Sequence, residues 1–297
     1  MFPFRKTVLC LALIAAAPAW AGPAQEGFAA YAKGDFAKAL SLWRPYAENG
    51  DVQAQAFLGD LYFNGQGVAQ NYKQALFWFK LAADKGNVAA EYNLGLAAEQ
   101  GRGEPKSPAK AASWYKRAAG RGHVPAMLAM ARLSRDGPDR DPAAALRWTE
   151  KAAKTGDAQA LDELATLYRM GMGTDPDLAR ARDLYRQAAE KGYAPAENNL
   201  GMMYRFGAGG PADYERAFGW LYRAADHGVA AAKYNIGVMY ALGLGTAKSP
   251  VEAYKWYAAA AASDDAATHE QATKALALLK AQMKPAEIAA AERGGPR

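Results

Sequence analysis

Three histidines, His123, His227 and His269, are the side chains whose unperturbed chemistry suits proton transfer or metal binding near neutral pH. His123 directly follows a glycine and His227 directly precedes one, which places both at helix ends, where a cation meets the negative end of the helix dipole. They stand far apart, and no metal-ligand spacing emerges. The neighbouring carboxylates Asp162–Glu163 and Asp264–Asp265 read as helix-surface and cap residues rather than as an acid–base pair. Gly207-x-Gly209 and Gly243-x-Gly245 look like fragments of a phosphate loop, but they follow helical stretches and they recur. No G-x-S-x-G, Walker loop or H-E-x-x-H is present. The expectation is therefore no catalytic residue, no cofactor and no metal. Trp78, Trp114, Trp148, Trp220 and Trp256 could stack on sugars, but each stands three residues after an alanine, which assigns them to the buried face of a helix.

What carries information is repetition. "NNLGMMYRFGAG" at 198–209 returns as "YNIGVMYALGLG" at 234–245, and "YNLGLAAEQGRG" occupies 92–103. A catalytic motif would need one copy. Gly59, Gly95, Gly201 and Gly237 act as a ruler, with Ala131 and Ala165 in the two intervening slots; the step is 36 residues except for 34 between Ala131 and Ala165. Five residues before the ruler comes an alanine every time, at Ala54, Ala90, Ala126, Ala160, Ala196 and Ala232. Ala196, Leu200, Met203 and Tyr204 lie on one helical face, Gly207 and Gly209 break the helix, and Ala217, Trp220, Leu221, Ala224 and Ala225 form a second apolar face that Gly228 ends. Each repeat is thus helix A, a Gly-x-Gly turn, helix B and a glycine turn. A glycine inside helix A costs about 1 kcal/mol against alanine; close approach of helix B, facing a small alanine, is the expected compensation. Single pairs cannot bury both faces, so the fold expected is all-α, a right-handed superhelical α-solenoid of stacked helix-turn-helix repeats.

The pattern A-x-x-x-L-G-x-x-Y-x-x-G-x-G, then A-x-x-W, A-A and G, resembles the Sel-one-like repeat, a sister of the tetratricopeptide repeat, over six copies: 52–87, 88–123, 124–157, 158–193, 194–229 and 230–265. Residues 22–51 read as a shortened N-terminal hairpin and 266–297 as a capping helix and tail. The third copy departs most, with "RLSRDGPDRDP" in place of tyrosine and Gly-x-Gly, so its turn is expected to be remodelled. The resemblance implies a non-enzymatic scaffold or adaptor that holds a protein partner. Exported bacterial members resemble envelope regulators. A disulfide-bridged branch is linked to cell-wall fragments, but this chain lacks that branch's cysteines. A peptidoglycan-binding module stands as the alternative and a hydrolase as a distant one.

By analogy with tetratricopeptide repeats, partner-facing positions lie three before and one, four and five after the ruler. They select Arg132, Arg135, Arg169 and Arg205 as a basic strip, with Tyr92, Asn198, Met202, Phe206 and Tyr234 around it, as the candidate groove for an extended or acidic peptide segment. The competing reading is that arginines are good helix formers on a solvated surface. Asn93, Asn199 and Asn235, just before the motif's Leu-Gly or Ile-Gly, are read as interhelical hydrogen-bonding residues.

The first residues belong to no repeat. Arg5 and Lys6, the apolar run from Thr7 to Ala17 and the site Ala19-Trp20-Ala21 form a secretory signal over 1–21, which implies export, to a periplasm or beyond. Cys10, the one cysteine, lies inside it, so the mature chain makes no disulfide. Loss of Arg5 and Lys6 lowers the net charge of +6 by two, too mild a charge for a nucleic-acid binder. Beyond the signal no stretch approaches transmembrane length. N-terminal sequencing of the mature protein should therefore begin at Gly22, and a start well away from it would count against the signal.

Overall fold

The structure, a computed structural model, describes residues 22–137 and 139–295. The expected export signal, with Cys10, lies outside the described residues. Among these, sixteen helices follow one another and no strand occurs. α1 (Pro23–Ala32) and α2 (Phe36–Glu48) form a short first hairpin. Six longer hairpins follow: α3–α4 (Val52–Asn64, Tyr72–Asp84), α5–α6 (Val88–Gln100, Pro108–Gly120), α7–α8 (Val124–Asp136, Pro142–Ala153), α9–α10 (Ala158–Met170, Leu178–Glu190), α11–α12 (Ala194–Phe206, Tyr214–Asp226) and α13–α14 (Ala230–Leu242, Pro250–Ala261). The fold is an α-solenoid of helix-turn-helix repeats. The chain divides into two compact parts after Leu133, within α7.

Local chemistry sets the helix ends. Asp51, Asn87 and Asp157 accept the N–H three residues on and so cap α3, α5 and α9, while Asn71, Ser107, Asp141, Asp177, Asp213 and Ser249 do the same for every helix B. Helices α3, α5, α9, α11 and α13 end on a left-handed glycine, the first of Gly-x-Gly. The second glycine has a different reason to be there. A Cβ on Gly209 would overlap the carbonyl of Leu178, and one on Gly245 that of Tyr214, each at the start of the preceding repeat's helix B. Both also hold a positive φ. The third repeat lacks this turn, yet it keeps the closing hydrogen bond. Asp141 N–H donates to Ser134 O at 2.8 Å, as Asp177 donates to Tyr168 and Asp213 to Tyr204 at 2.9 Å. The two deleted residues fall inside the loop that this bond closes, which is how the repeat survives the deletion.

The core is built on small-against-large contacts. The alanine five residues before each ruler position is fully buried, as is the first of each helix-B series, from Ala75 to Ala253. The ruler glycine meets a large side chain of helix B. A Cβ on Gly95 would stand 2.5 Å from the Tyr115 ring, one on Gly237 2.6 Å from Tyr257, and Gly59 faces Phe79 in the same way. Those rings are buried. This corrects the expectation that the glycine faces a helix-B alanine; only Gly201, against Leu221, also nears the Ala217 carbonyl.

The tryptophans are corrected too. Among them Trp256 is buried, but Trp78, Trp114, Trp148 and Trp220 are half-buried. Phe79 and Tyr115, the residues after Trp78 and Trp114, point at the ruler glycines of helix A, so these two tryptophans are turned about 100° away, toward the joint with the preceding repeat. Trp78 packs on the cluster of Trp43, Phe57 and Leu61, and Trp114 on that of Phe79 and Leu94. Their outer faces carry cations: Arg117 lies 4.6 Å over Trp114, Lys151 5.4 Å over Trp148 and Arg223 4.6 Å over Trp220.

The C-terminal segment differs from the expected single helix and tail. After α15 (Ala266–Lys280) the chain turns into α16 (Pro285–Glu292), which returns to α14 through a cluster of Tyr254, Met283 and Ala291. Tyr254 Oη donates to Glu292 Oε1 at 3.0 Å. Among the described residues no helix is long and apolar enough to cross a membrane.

The ruler contact is testable at Gly201, where an added Cβ would lie 2.7 Å from Leu221 Cγ and 3.2 Å from the Ala217 carbonyl. Gly201→Leu should lower stability by about 1–3 kcal/mol through overpacking, although leucine favours the helix. A calorimetric melting temperature equal to wild type would show that the glycine does not set the helix separation.

Candidate functional site

The first helices of the hairpins carry the sequence-selected positions. In the first part, Asn93 Nδ2 donates to Asp60 Oδ1 at 2.8 Å and so ties α5 to α3. In the second part Asn199 Nδ2 donates to Asp162 at 3.0 Å and Asn235 Nδ2 to Asn198 Oδ1 at 3.2 Å, tying α11 to α9 and α13 to α11. The asparagines are therefore interhelical hydrogen-bonding residues, and Asn198 is one of their acceptors rather than a free groove amide.

The four arginines separate into two kinds. Arg132 grips Glu99 in a bidentate pair, with Nη1 to Oε1 at 2.6 Å and Nη2 to Oε2 at 2.7 Å, and Tyr115 Oη also donates to Glu99 at 2.8 Å. Burial pushes the Glu99 carboxyl up, but the Arg132 and Tyr115 hydrogen bonds outweigh it and hold it below its ordinary value. The Tyr115 phenol is pushed up, chiefly by burial and then by Glu99. Arg135 chelates Asp136, with Nε at 2.9 Å and Nη2 at 2.8 Å. Arg169 and Arg205 have no carboxylate within ion-pair distance among the described residues. Arg169 Nε donates to Tyr185 Oη at 3.4 Å, and the Arg205 guanidinium lies 5.0 Å over the Phe206 ring.

The aromatic members divide as well. Tyr92 is half-buried, 5.6 Å from the Tyr115 ring and 4.9 Å from His123, and burial raises its phenol. Tyr234 is half-buried against Tyr257 at 5.5 Å, and Met202 is half-buried. Phe206 is exposed. The exposed members of the selected set are thus Arg132, which is paired with Glu99, and Arg169 and Phe206; Arg205 is half-buried.

His123 and His227 are held at helix ends, and His269 Nδ1 lies 2.5 Å from the Ala261 carbonyl oxygen. His123 Nδ1 accepts the Ala126 N–H at 3.3 Å at the start of α7, and burial lowers its pKa. His227 Nδ1 is 2.8 Å from Glu197 Oε2. Glu197 is fully buried and paired with Arg223 at 3.0 Å; Glu91, four residues before its own ruler, pairs likewise with Arg117 at 3.1 Å. The sequence reading missed these buried carboxylates. The signal was available, since Glu91 and Glu197 hold one repeat position and Arg117 and Arg223 hold another. No group of three His, Cys, Asp or Glu side chains suited to a metal ion occurs among the described residues.

A second cluster also escaped sequence reading. Asp60 lines an open cleft of about 500 Å³ with Gln53, Asn87, Asn93, Lys85 and His123. Burial raises the Asp60 carboxyl to about 7, against the opposing bond from Asn93, and burial raises Asp162 to about 6 in the same manner.

The family described as the Sel1 repeat matches residues 52–87, 88–123, 124–157, 158–193, 194–229 and 230–265. A protective antigen of uropathogenic Escherichia coli with an SLR fold is 30% identical, with a TM-score of 0.80 over 91% of this chain; the chain spans 58% of that protein's length. A Sel1 repeat protein from Oxalobacter formigenes is 31% identical, with a TM-score of 0.70 over 82% of this chain and 99% of its own. No curated protein matches the chain.

The Asp60 shift has a pH signature. The unfolded carboxyl titrates near 3.9, while the folded one titrates at about 7. Between those values the folded state holds the extra proton, so this group's contribution to stability falls as pH rises through that window and stays reduced above it. Asp60→Asn keeps an oxygen acceptor for Asn93 and removes the charge. The variant should melt above wild type at pH 8 and converge with it near pH 4; an equal or lower melting temperature at pH 8 would show that the desolvation is not felt.

Proposed function

Since the chain belongs to the Sel1 repeat family, whose members generally act as protein-interaction scaffolds, we propose that it is an exported, non-enzymatic adaptor of the cell envelope, resident in the periplasm, that holds an extended acidic segment of a protein partner on the A-helix face of its second part. The observation that carries this reading is the pair Arg169 and Arg205. Every other arginine of the selected strip is neutralised within the chain by Glu99 or Asp136. Both members of the pair stand four residues after their ruler positions in consecutive repeats, where bidentate contact with carboxylates is open to them. Export rests on the signal at 1–21, and the adaptor role on the family and on this unpaired charge.

The test is charge reversal. Arg169→Glu with Arg205→Glu should cost little stability, within about 0.5 kcal/mol for each surface change. Partner capture from envelope extract should be lost, because attraction becomes repulsion at two sites. Wild-type capture should also weaken as salt rises. A double variant that melts like wild type and retrieves the same proteins would reduce the strip to a solvated surface. Retention of the wild type on purified peptidoglycan, with no protein captured, would point instead to a cell-wall module.

A further inference from the structure

The cleft at Asp60 lies wholly within the first part and is separate from the arginine strip. Most of the polar side chains that line it are bonded within the chain. Lys85 Nζ donates to Gly50 O at 2.6 Å, Asn87 Oδ1 accepts the Ala90 N–H at 2.9 Å, and Asn87 Nδ2 donates to Gln53 Oε1 at 3.3 Å. His123 Nδ1 accepts the Ala126 N–H, and burial favours the uncharged ring. The lining charge without an answer is Asp60. Its Oδ1 takes the bond from Asn93 Nδ2, while Asp60 Oδ2 and Asn93 Oδ1 accept no hydrogen bond among the described residues. No cation among them comes within ion-pair distance of the carboxyl either.

This sets Asp60 apart from the other carboxylates that stacking desolvates. Glu91 pairs with Arg117, Glu99 with Arg132 and Glu197 with Arg223, and the Arg169 charge favours ionised Asp162. Asp60 also departs from the repeat. In the second part Asn199 and Asn235 bond to residues three before the preceding ruler, Asp162 and Asn198. The same position in the first repeat is Ala56, and Asn93 bonds instead to Asp60, about one turn further along α3. A neutral asparagine would accept that bond as well, as Asn198 does for Asn235, so the joint between helices does not require a charge. Burial without a counter-charge raises the carboxyl to about 7, a cost that a cation in the cleft would offset.

The rest of the lining describes that cation. An ammonium group carries three N–H donors, and Asp60 Oδ2 and Asn93 Oδ1 are open acceptors. Val52, Val88 and Ala89 give apolar surface on which a methylene stem can lie. We propose that the cleft binds an alkylammonium group, from a lysine side chain of a protein or from a free polyamine, with Asp60 as its counter-ion. The proposal does not rest on the acidic-segment reading above, which concerns the other part of the chain.

The experiment titrates the isotope-labelled mature full chain at pH 8 and follows the side-chain amides of Asn87 and Asn93 by nuclear magnetic resonance. The probes are Nα-acetyl-lysine methylamide and cadaverine. Nα-acetyl-norleucine methylamide keeps the stem without the charge, and pimelate reverses the charges of cadaverine. At least one ammonium probe should shift both amides and bind at least tenfold more tightly than either comparison compound. Asp60→Asn should weaken that binding at least tenfold in a chain that still melts cooperatively. Shifts from neither ammonium probe, shifts confined to residues outside the cleft, or equal binding of the norleucine compound would each overturn the proposal. So would tighter binding of pimelate, or wild-type affinity in Asp60→Asn. Tighter binding of the lysine compound would support a protein side chain as the occupant, and tighter binding of cadaverine a polyamine.

Discussion

The approach of helix A to helix B at a single small residue is the constraint from which the rest follows. Where the ruler is glycine, the buried side chains of Phe79, Tyr115, Leu221 and Tyr257 occupy the space that a Cβ would take. The magnitudes favour the arrangement. A helix-interior glycine costs about 1 kcal/mol, while burying a large apolar side chain returns roughly 1.5–3 kcal/mol. The contact also fixes the rotation of helix B. With Tyr115 turned onto Gly95, Trp114 is directed to the joint between repeats, and Arg117, three residues further on, both covers that tryptophan and reaches the buried Glu91. Trp220, Arg223 and Glu197 repeat the arrangement in the second part.

Helix A is thereby divided into faces with separate duties. One meets helix B through the ruler. A second is joined to the neighbouring A helix by the asparagine bonds, at Asn93 in the first part and at Asn199 and Asn235 in the second. What remains is the face at one, four and five residues past the ruler. In the first part it satisfies itself: Glu99 sits four past its ruler, Arg132 one past the next, and they neutralise one another. In the second part neither Arg169 nor Arg205 forms an ion pair among the described residues, although the Arg169 charge still favours the ionised Asp162 carboxyl. Chemistry directed outward is therefore concentrated where internal compensation is missing.

The hairpins were readable because their signals are local or strictly periodic. Alanine at 54, 90 and 126, the glycine ruler and the capping Asp, Asn and Ser residues each report a backbone or packing need within one repeat. The tryptophans were misplaced for a definable reason. Periodicity locates an apolar stripe, but it does not say which of two adjacent large residues, Trp114 or Tyr115, takes the centre and which the edge. The ion pairs were unreadable for another. Glu99 and Arg132 lie 33 residues apart, and only the juxtaposition of neighbouring helices reveals that a residue four past one ruler meets a residue one past the next. Asp60 and Asp162 look like ordinary surface acids in the sequence, and their raised carboxyl pKa values come from burial that stacking imposes. Helix α16 was lost because a short segment with two small turns, Gln282–Lys284 and Arg293–Gly295, carries no repeat to read.

A repeat architecture gives every residue a counterpart one step along the chain, so a departure from mutual compensation has to be weighed against its physical cost. Two guanidinium groups about 10 Å apart in water repel by only about 0.4 kcal/mol, and salt reduces that further. An uncompensated pair such as Arg169 and Arg205 is therefore tolerated at little expense to the fold. Its contacts within the fold are a long hydrogen bond to Tyr185 and a stack on Phe206, whereas Arg132, Arg117 and Arg223 each neutralise a carboxylate that packing has already desolvated. Exposed apolar side chains at Met170, Phe206 and Leu242 obey the same logic, since their neighbours in the first part manage the same turn with Asn64 and Gln100. Stability accounts for the residues that close contacts within the solenoid. It does not account for the exposed side chains of Met170, Phe206 and Leu242 in the second part.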